Sequence, residues 1–382
     1  MGEVTQTVKT GTSKVSAEIL KTKRHFEVLD GLRGIAALSV VTFHFMEMAI
    51  ADYSKNFIGH GFLAVDFFFC LSGFVIGYAY DDRIGKIGIV EFLKSRLIRL
   101  HPLVILGSVL GLFAFLFDPF TGIQHAYSIG KVTLIFLASI FLIPFPAMTE
   151  RTFNLFSFNA PAWSLFWEYV ANIFYAFIFY RLSRRSLLLF TALASAVLCA
   201  VGYHSGSLGG GWSGPTFWDG GARVAYSFLA GLLIYRSNWI IKTRLGFTSL
   251  SLLLLAAFMM PYFKWNVMAE ALVILFYFPL LVALGAGAAL TKRSETLCVF
   301  SGKISYPLYM THYAVIWMFM NYYNTHKPGT PQLALIVTTG VILLTGFAYV
   351  ARMVYDIPVR RYLTSKRRVV ASTSGLARSS GQ

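Results

Sequence analysis

An arginine and a histidine, Arg33 and His44, lie at the two ends of the first strongly apolar stretch of this chain. Eleven helical steps turn through about 1100°, close to three full turns, so both side chains would share one helix face about 16 Å apart. If this helix crosses a bilayer, His44 lies near mid-depth, where an ionisable residue is rare and marks a functional site. The alternative is that Arg33 anchors the helix at the membrane surface and His44 is a packed, hydrogen-bonded histidine.

Polar residues also occur in and beside the next two apolar stretches. Asp66 and Ser72 flank a Phe-rich run. Ser72-Gly73 either allows close helix packing or belongs to a site, and Asp66 is either a solvated edge residue or part of that site.

Arg96 and Arg99 are three residues apart and would project to neighbouring positions of a helix. They either belong to a topology-setting basic loop or form two forks for phosphate groups at the cytoplasmic side.

Two later clusters extend this pattern. Trp163 could belong to an aromatic belt at the membrane surface, but Glu168, one turn further into an apolar helix, requires a partner. Tyr306 and His312 follow Ser305 on a helix that a proline starts or kinks. A second histidine within an apolar span indicates a polar interior.

The composition supports a membrane setting for these residues. Of the 382 residues, 56% are hydrophobic and 13% are charged, whereas soluble domains have about 25% charged residues. The net charge of +16 could suggest nucleic acid, but the basic residues fall in short loops between apolar runs, as the positive-inside rule predicts. We therefore expect a lipid bilayer and no nucleic acid as partner. The three cysteines lack metal-ligand spacing, so we predict no metal site.

The elements that must position these residues are membrane helices. A span needs about 20 largely apolar residues, and eleven stretches qualify as candidates, centred on Ile35–Ile50, Phe62–Tyr78, Leu103–Phe117, Val132–Ala147, Trp163–Tyr180, Leu187–Tyr203, Val224–Tyr235, Leu245–Phe263, Val267–Leu290, Ile304–Met320 and Leu333–Val350. The distribution of Lys and Arg requires an odd number of crossings between His101 and Met148. One of the segments 103–117 and 132–147 is therefore expected to be re-entrant or interfacial.

These considerations predict an all-α, polytopic membrane helical bundle of about ten transmembrane helices and one extra helix, with both termini cytoplasmic. The domain would cover residues 27–363. Residues 1–26 would form a flexible cytoplasmic tail, and residues 364–382 a disordered basic one.

Taken in this order, the motifs resemble the acyltransferase-3 family of integral-membrane O-acyltransferases. The motifs are Arg-x10-His at Arg33 and His44, Phe-Phe-x-x-Ser-Gly at Phe68–Gly73, Arg-x-x-Arg at Arg96 and Arg99, Trp-Ser-Leu followed by Glu at Trp163–Glu168, and Ser-Tyr-x-x-Tyr-x-x-His at Ser305–His312. The Glu-x-Pro common near the C-terminus of the family reads Asp356-Ile357-Pro358 here. The chain is similar to the stand-alone form, which lacks a fused esterase-type domain.

The resemblance implies transfer of an acyl group, usually acetyl, from cytoplasmic acyl-CoA across the inner (cytoplasmic) membrane. The acceptor would be a hydroxyl group of an extracytoplasmic glycan or glycolipid, such as exopolysaccharide, lipopolysaccharide O-antigen or lipo-oligosaccharide. No permanently bound cofactor is expected. The resemblance leaves open whether acetyl or a longer acyl group is transferred.

The same resemblance implies roles for individual residues. Arg96 and Arg99 would hold the nucleotide phosphates, and Arg33 would guide the donor or pair with Asp30. His44 would be the general base or, alternatively, an acyl-carrying nucleophile, and Glu168 would orient the acceptor or the histidine. The remaining polar motif residues would contact substrate: Asp66, Ser72, Trp163, Tyr306 and His312. The outward loop Ser205–Gly221 is the expected place for acceptor selectivity.

Two other classes of function remain as alternatives. A transporter could use intramembrane His and Glu residues as a proton relay. It would be expected to show inverted repeats, and we find none in the sequence. A receptor or scaffold would not require the ionisable residues His44, Glu168 and His312 within apolar helices.

Overall fold

The computed structural model describes residues 25–367, and its regular structure over that range is helical apart from two isolated β-bridges. The predictions for residues 1–24 and 368–382 lie outside the described residues. The main helices are α1 (Glu27–Ala49), α2 (Ala64–Tyr80), α3 (Ile89–Leu116), α4 (Ile129–Ile140), α5 (Ala162–Phe177), α6 (Arg184–Ser205), α7 (Phe217–Arg236), α8 (Phe247–Phe258), α9 (Asn266–Gly287), α10 (Lys292–Thr311), α11 (Tyr313–His326) and α12 (Thr330–Arg367). A four-residue helix, Ile84–Ile87, precedes α3.

The predicted all-helical class is confirmed, and ten of the eleven candidate spans each overlap a single helix. The exception is Ile304–Met320, which crosses the junction of α10 and α11 at His312. Six helices are long and apolar enough to cross a membrane, namely α1, the Gly61–Tyr80 helix that contains α2, α3, α6, α9 and α12. The count of ten spans stays a prediction. Of the two segments in doubt, α3 has 28 residues and α4 has 12. At about 1.5 Å per residue only α3 exceeds the roughly 30 Å of a hydrocarbon core.

Two irregular segments lie between the helices at one end of the bundle. Residues 141–161 follow α4, and residues 206–216 follow α6. The backbone N–H of Leu155 donates to the Trp212 carbonyl oxygen at 2.9 Å, and Asn154 forms a β-bridge with Ser213. Non-helical backbone at membrane depth is tolerated where it is buried in protein or lines a cavity. We call this end of the bundle, where α1 ends, the distal end; α1 begins at the proximal end.

Glycines allow the central helices to approach closely. A Cβ atom on Gly73 of α2 would lie 2.0 Å from the Phe228 carbonyl oxygen of α7, and one on Gly231 would lie 1.8 Å from the Cys70 carbonyl oxygen. On the other side of the bundle, a Cβ atom on Gly34 of α1 would lie 2.4 Å from Ser301 Cβ of α10. The prediction that Ser72-Gly73 allows close helix packing is therefore confirmed for Gly73.

The C-terminal helix extends further than expected. A π-helical turn, Arg352–Asp356, lies within α12, and the helix continues to Arg367. Residues 364–367, which we predicted to be disordered, are therefore helical, and the prediction was wrong for them. The extension matters because it carries Arg367 to Glu91 at the start of α3.

Candidate active site

The polar residues singled out in the sequence separate into two groups at opposite ends of α1. His44 lies near the distal end of this helix and Arg33 near its proximal end. The two residues share one helix but have no hydrogen-bond partner in common. Each group must therefore be considered by itself.

At the distal end, His44 forms a hydrogen-bonded chain with a carboxylate and a tyrosine. His44 Nδ1 lies 2.7 Å from Glu47 Oε2, and the Tyr53 hydroxyl donates to Glu47 Oε1 at 2.5 Å. An ionised carboxylate only accepts hydrogen bonds, so Nδ1 is the donor in this contact, and in the neutral imidazole Nε2 keeps its lone pair. Both His44 and Glu47 are about one-fifth exposed, so the free nitrogen is not sealed in the core.

A second histidine and a tyrosine pack against His44. The His312 ring stacks on the His44 ring with 5.4 Å between centroids, and the Tyr313 ring meets it edge-on at 4.8 Å. His312 is completely buried, and its Nδ1 donates to the Leu308 carbonyl oxygen at 3.1 Å. Its Nε2 has no hydrogen-bond partner among the described residues. His312 therefore holds the His44 ring in place within a polar interior.

His44 and Glu47 lie on the wall of a cavity of about 320 Å³. The irregular segments contribute Glu150 and Trp212 to its lining. The expectation that loop Ser205–Gly221 contributes to acceptor selectivity stays a prediction, but residues of this loop do line the cavity. Aromatic side chains form much of the remaining wall, namely Phe43, Tyr53, Phe62, Trp163, Tyr309, Tyr313 and Trp317.

A second carboxylate, Glu150, also faces this cavity from the loop after α4. The Tyr127 hydroxyl donates to Glu150 Oε2 at 2.5 Å, and this hydrogen bond lowers the pKa of the Glu150 carboxyl group below its ordinary value. Glu150 is therefore ionised at neutral pH. The cavity thus offers two carboxylates among aromatic rings.

Asp66, for which we expected a substrate contact, forms a buried ion pair. Its side chain is fully buried, and Arg223 Nη2 donates to Asp66 Oδ2 at 2.6 Å. Arg223 also donates to the carbonyl oxygens of Phe62 and Gly210, and its guanidinium lies 5.2 Å from the Trp163 ring centroid. Arg223 and Trp163 line the cavity, whereas Asp66 lies behind them. Asp66 therefore positions Arg223.

At the proximal end, Arg33 is bound to its own helix and to α10. Its Nη2 lies 2.8 Å from Asp30 Oδ1 and 2.8 Å from the Gly302 carbonyl oxygen, and its Nε donates to Ser305 Oγ at 3.0 Å. Of the two roles considered for Arg33, the pairing with Asp30 is the one observed.

Arg96 and Glu168 form a second ion pair at this end. Arg96 Nη2 lies 2.9 Å from Glu168 Oε1, which also accepts a hydrogen bond from Ser72 at 3.0 Å. Glu168 thus has the partner that its position required. It does not line the distal cavity, and the carboxylate that contacts His44 is Glu47.

Arg99 and Tyr306 lie beside this pair. The Tyr306 hydroxyl donates to the Leu100 carbonyl oxygen at 2.5 Å, which joins α10 to α3. Arg99 is exposed, and it lies within electrostatic range of Arg33, Arg96 and Arg360. No carboxylate within residues 25–367 lies within ion-pair distance of Arg99.

The residues of the distal site that were missed in the sequence include Glu47, Tyr53, Glu150 and Arg223. Glu47 could have been found, because a residue three positions after His44 on a helix is its neighbour. Tyr53 and Arg223 are brought to the site by a loop and by α7, which no local pattern indicates. Within residues 25–367, His, Cys, Asp and Glu side chains form no group of three or more that could hold a metal ion.

A helical membrane bundle with a histidine–carboxylate pair on the wall of an internal cavity has the architecture of a membrane-embedded enzyme. The chain belongs to the acyltransferase-3 family, because the family model, described as an acyltransferase domain, matches residues 26–352. The predicted family is therefore confirmed, and the protein is an O-acyltransferase.

Curated relatives agree with this assignment. The chain is 34% identical to "Protein 2 in picA locus" of Rhizobium radiobacter over 182 residues, which are 45% of this chain and 92% of that protein. It is also 34% identical over 106 residues to the O-acetyltransferase OatA of Staphylococcus aureus, which is 27% of this chain but only 16% of OatA. No solved structure gives a significant match to this chain.

Proposed function

We propose that this protein transfers an acetyl group from cytoplasmic acyl-CoA to a hydroxyl group of a glycan on the other side of the inner membrane. The observation that carries the proposal is the orientation of His44, whose Nδ1 faces Glu47 and whose Nε2 is free at the cavity wall. The name O-acetyltransferase of the relative from S. aureus supports acetyl as the transferred group.

The chemistry follows from the free nitrogen. His44 Nε2 takes the proton of the acceptor hydroxyl group while the hydroxyl oxygen attacks the thioester carbonyl carbon. The new C–O bond forms, the C–S bond breaks, and the CoA thiolate leaves and takes up the proton that His44 received. Glu47 holds the imidazole in the required tautomer and stabilises the imidazolium ion during the step. Tyr53 in turn fixes the Glu47 carboxylate.

The cavity supports a sugar as acceptor. Its volume of about 320 Å³ is at the lower end of small-molecule sites, which span roughly 300–1,000 Å³, and this suits a single residue of a glycan. The C–H faces of a sugar ring pack on aromatic rings such as Trp163, Trp212 and Trp317. The ionised carboxylate of Glu150 accepts hydrogen bonds from hydroxyl groups.

The donor would bind at the proximal end. Arg33 and Arg96 are engaged in ion pairs, but Arg99 is available for an anionic group. The two ends of the proposed path, Arg33 and His44, are about 16 Å apart along α1. A linear pantetheine arm held by its phosphates at the proximal end could extend towards His44.

The proposal is tested by comparing surface glycans from cells with the gene, without it, and with the His44→Ala variant expressed at the same level in membranes. Mass spectrometry should show the mass of an added acetyl group only for the wild-type protein. Glycans acetylated to the wild-type level by His44→Ala would remove His44 from the chemistry. An unchanged glycan profile on deletion would refute the glycan as acceptor.

A further inference from the structure

Four arginines converge at the proximal end of the bundle, and three of them have a carboxylate partner. Arg33 pairs with Asp30, Arg96 with Glu168, and Arg360 with Asp356 at 2.9 Å. Arg99 lies within electrostatic range of the other three arginines. This group therefore retains one positive charge that no described carboxylate within ion-pair distance balances. Like charges concentrated in one place favour an anion that binds between them.

The C-terminal part of α12 brings Arg360 to this group. Arg367 donates to Glu91 Oε2 at 2.7 Å, which fixes the end of α12 against the beginning of α3. Going back along α12 from Arg367 to Arg360 covers about 10 Å, and going forward along α3 from Glu91 to Arg99 covers about 12 Å. Because the two helices run in opposite directions, Arg360 and Arg99 come to the same level of the bundle.

Asp356 lies between these two arginines. It is buried at 2% exposure, its Oδ2 accepts from Arg360, and it also interacts electrostatically with Arg99. Its Oδ1 is buried and has no hydrogen-bond partner among the described residues. Asp356 thus pairs with Arg360 through one oxygen. The Arg360 side chain is 40% exposed, and its other guanidinium nitrogens are free for a ligand.

We infer that Arg360 and Arg99 together form a phosphate-binding site, and that its ligand is the phosphorylated end of the acyl donor. This inference rests on the proposed function, since acyl-CoA is the donor proposed there. The inference assigns a role to Arg360, which lies beyond the region matched by the family model, residues 26–352. An arginine fork is suited to this task because it donates two parallel hydrogen bonds to phosphate oxygens. The same chemistry could be supplied by the phosphate of a lipid headgroup.

The test is CoA binding to the purified protein in nanodiscs of zwitterionic phosphatidylcholine, which has no net charge, measured by calorimetry. Arg360→Gln should weaken CoA binding by about tenfold or more, as for loss of a charge-assisted hydrogen bond. Arg185→Gln makes the same charge change on an exposed residue at the start of α6 that does not line the distal cavity, and it should leave the affinity unchanged. The double variant Asp356→Asn/Arg360→Gln removes both members of the pair, so it should show the same loss without an unpaired buried carboxylate.

The outcomes separate this inference from the proposed function. If the wild-type protein does not bind CoA, the proposed donor is wrong and the inference falls with it. If the wild-type protein binds CoA and both Arg360 variants bind it equally well, only the inference is overturned. A separate measurement follows the thermal stabilisation of the protein by added anionic phospholipid. Stabilisation that requires Arg360, together with CoA binding that does not, would assign the site to a lipid headgroup and likewise overturn the inference.

Discussion

The Nδ1 atom of His44 lies 2.7 Å from Oε2 of Glu47, one helical turn further along α1. Both residues belong to one rigid helix, so the distance depends little on how the surrounding loops move. The imidazole is also stacked against His312 on its other side. The arrangement leaves Nε2 as the reactive atom whether the histidine acts as a base or as an acyl carrier.

We expect Glu47→Gln to lower kcat by about 10²-fold to 10⁴-fold, the usual contribution of acid–base catalysis. Glutamine retains the size of glutamate but cannot stabilise the imidazolium ion. KM for both substrates should change little, because Glu47 acts through His44. Initial rates at saturating donor and acceptor provide the measurement. Asp52→Asn, which changes an exposed carboxylate in the following loop, is the matched control, and an equal loss there would argue against a specific role of Glu47.

The choice between base and acyl carrier can be made from the kinetic pattern. If His44 is a base, donor and acceptor must be bound together, and double-reciprocal plots should intersect. Parallel lines, and acyl-enzyme that accumulates without acceptor, would indicate ping-pong transfer through an acylated residue. Because the proposed mechanism uses His44 Nε2 as a base, we expect the intersecting pattern.

Arg96 and Arg99 should behave differently although they belong to one sequence motif. Arg96→Gln leaves the Glu168 carboxylate without its partner, and we expect a loss of stability of about 3 kcal/mol, the lower end of the range for breaking a buried ion pair. Thermal unfolding in detergent measures this loss, and the double variant Arg96→Gln/Glu168→Gln should recover part of it.

Arg99→Gln should instead raise KM for acyl-CoA, with the unfolding midpoint nearly unchanged, because Arg99 has no ion-pair partner to lose. KM for the acceptor should stay at the wild-type value. A larger effect on the acceptor than on the donor would place the acceptor and not the donor at the proximal end.

The close contact of α2 and α7 can be tested with a single methyl group. Gly73→Ala or Gly231→Ala places a Cβ atom about 2 Å from a carbonyl oxygen of the facing helix. Because the obstacle is backbone, the helices must separate, and we expect destabilisation of at least the roughly 1–3 kcal/mol of an overpacked core. Gly346→Ala in α12 meets nothing within 4 Å and should fold normally. Equal yields of folded protein for all three variants would contradict the packing described here.

The orientation in the membrane can be tested with single cysteines in a background from which exposed Cys199 has been removed. His204→Cys lies at the exposed distal end of α6, and Lys86→Cys lies on the exposed four-residue helix before α3. We expect a membrane-impermeant thiol reagent to label the first in intact cells and the second only after lysis. The opposite pattern would reverse the proposed sides of donor and acceptor.

Much of the helical architecture could be predicted from the sequence, because membrane helices are built from long apolar runs that are visible locally. Ten of the eleven predicted segments overlap a single helix, and Ile304–Met320 crosses the junction of α10 and α11. The C-terminal boundary was predicted too early, because the basic residues after Leu363 suggested a solvated tail. In the structure, the pairing of Arg367 with Glu91 joins this segment to the fold.

The sequence by itself determined the helical class, the family and the residue types available for chemistry: a histidine within an apolar helix, two spaced arginines and a buried carboxylate. Only the tertiary structure decided which of these side chains meet. It paired Glu168 with Arg96, placed Asp66 behind Arg223, and brought Tyr53 to Glu47. The physical reason is that periodicity reports which face of a helix is buried, whereas a buried charge takes as its partner whichever opposite charge the packing of distant helices brings within reach.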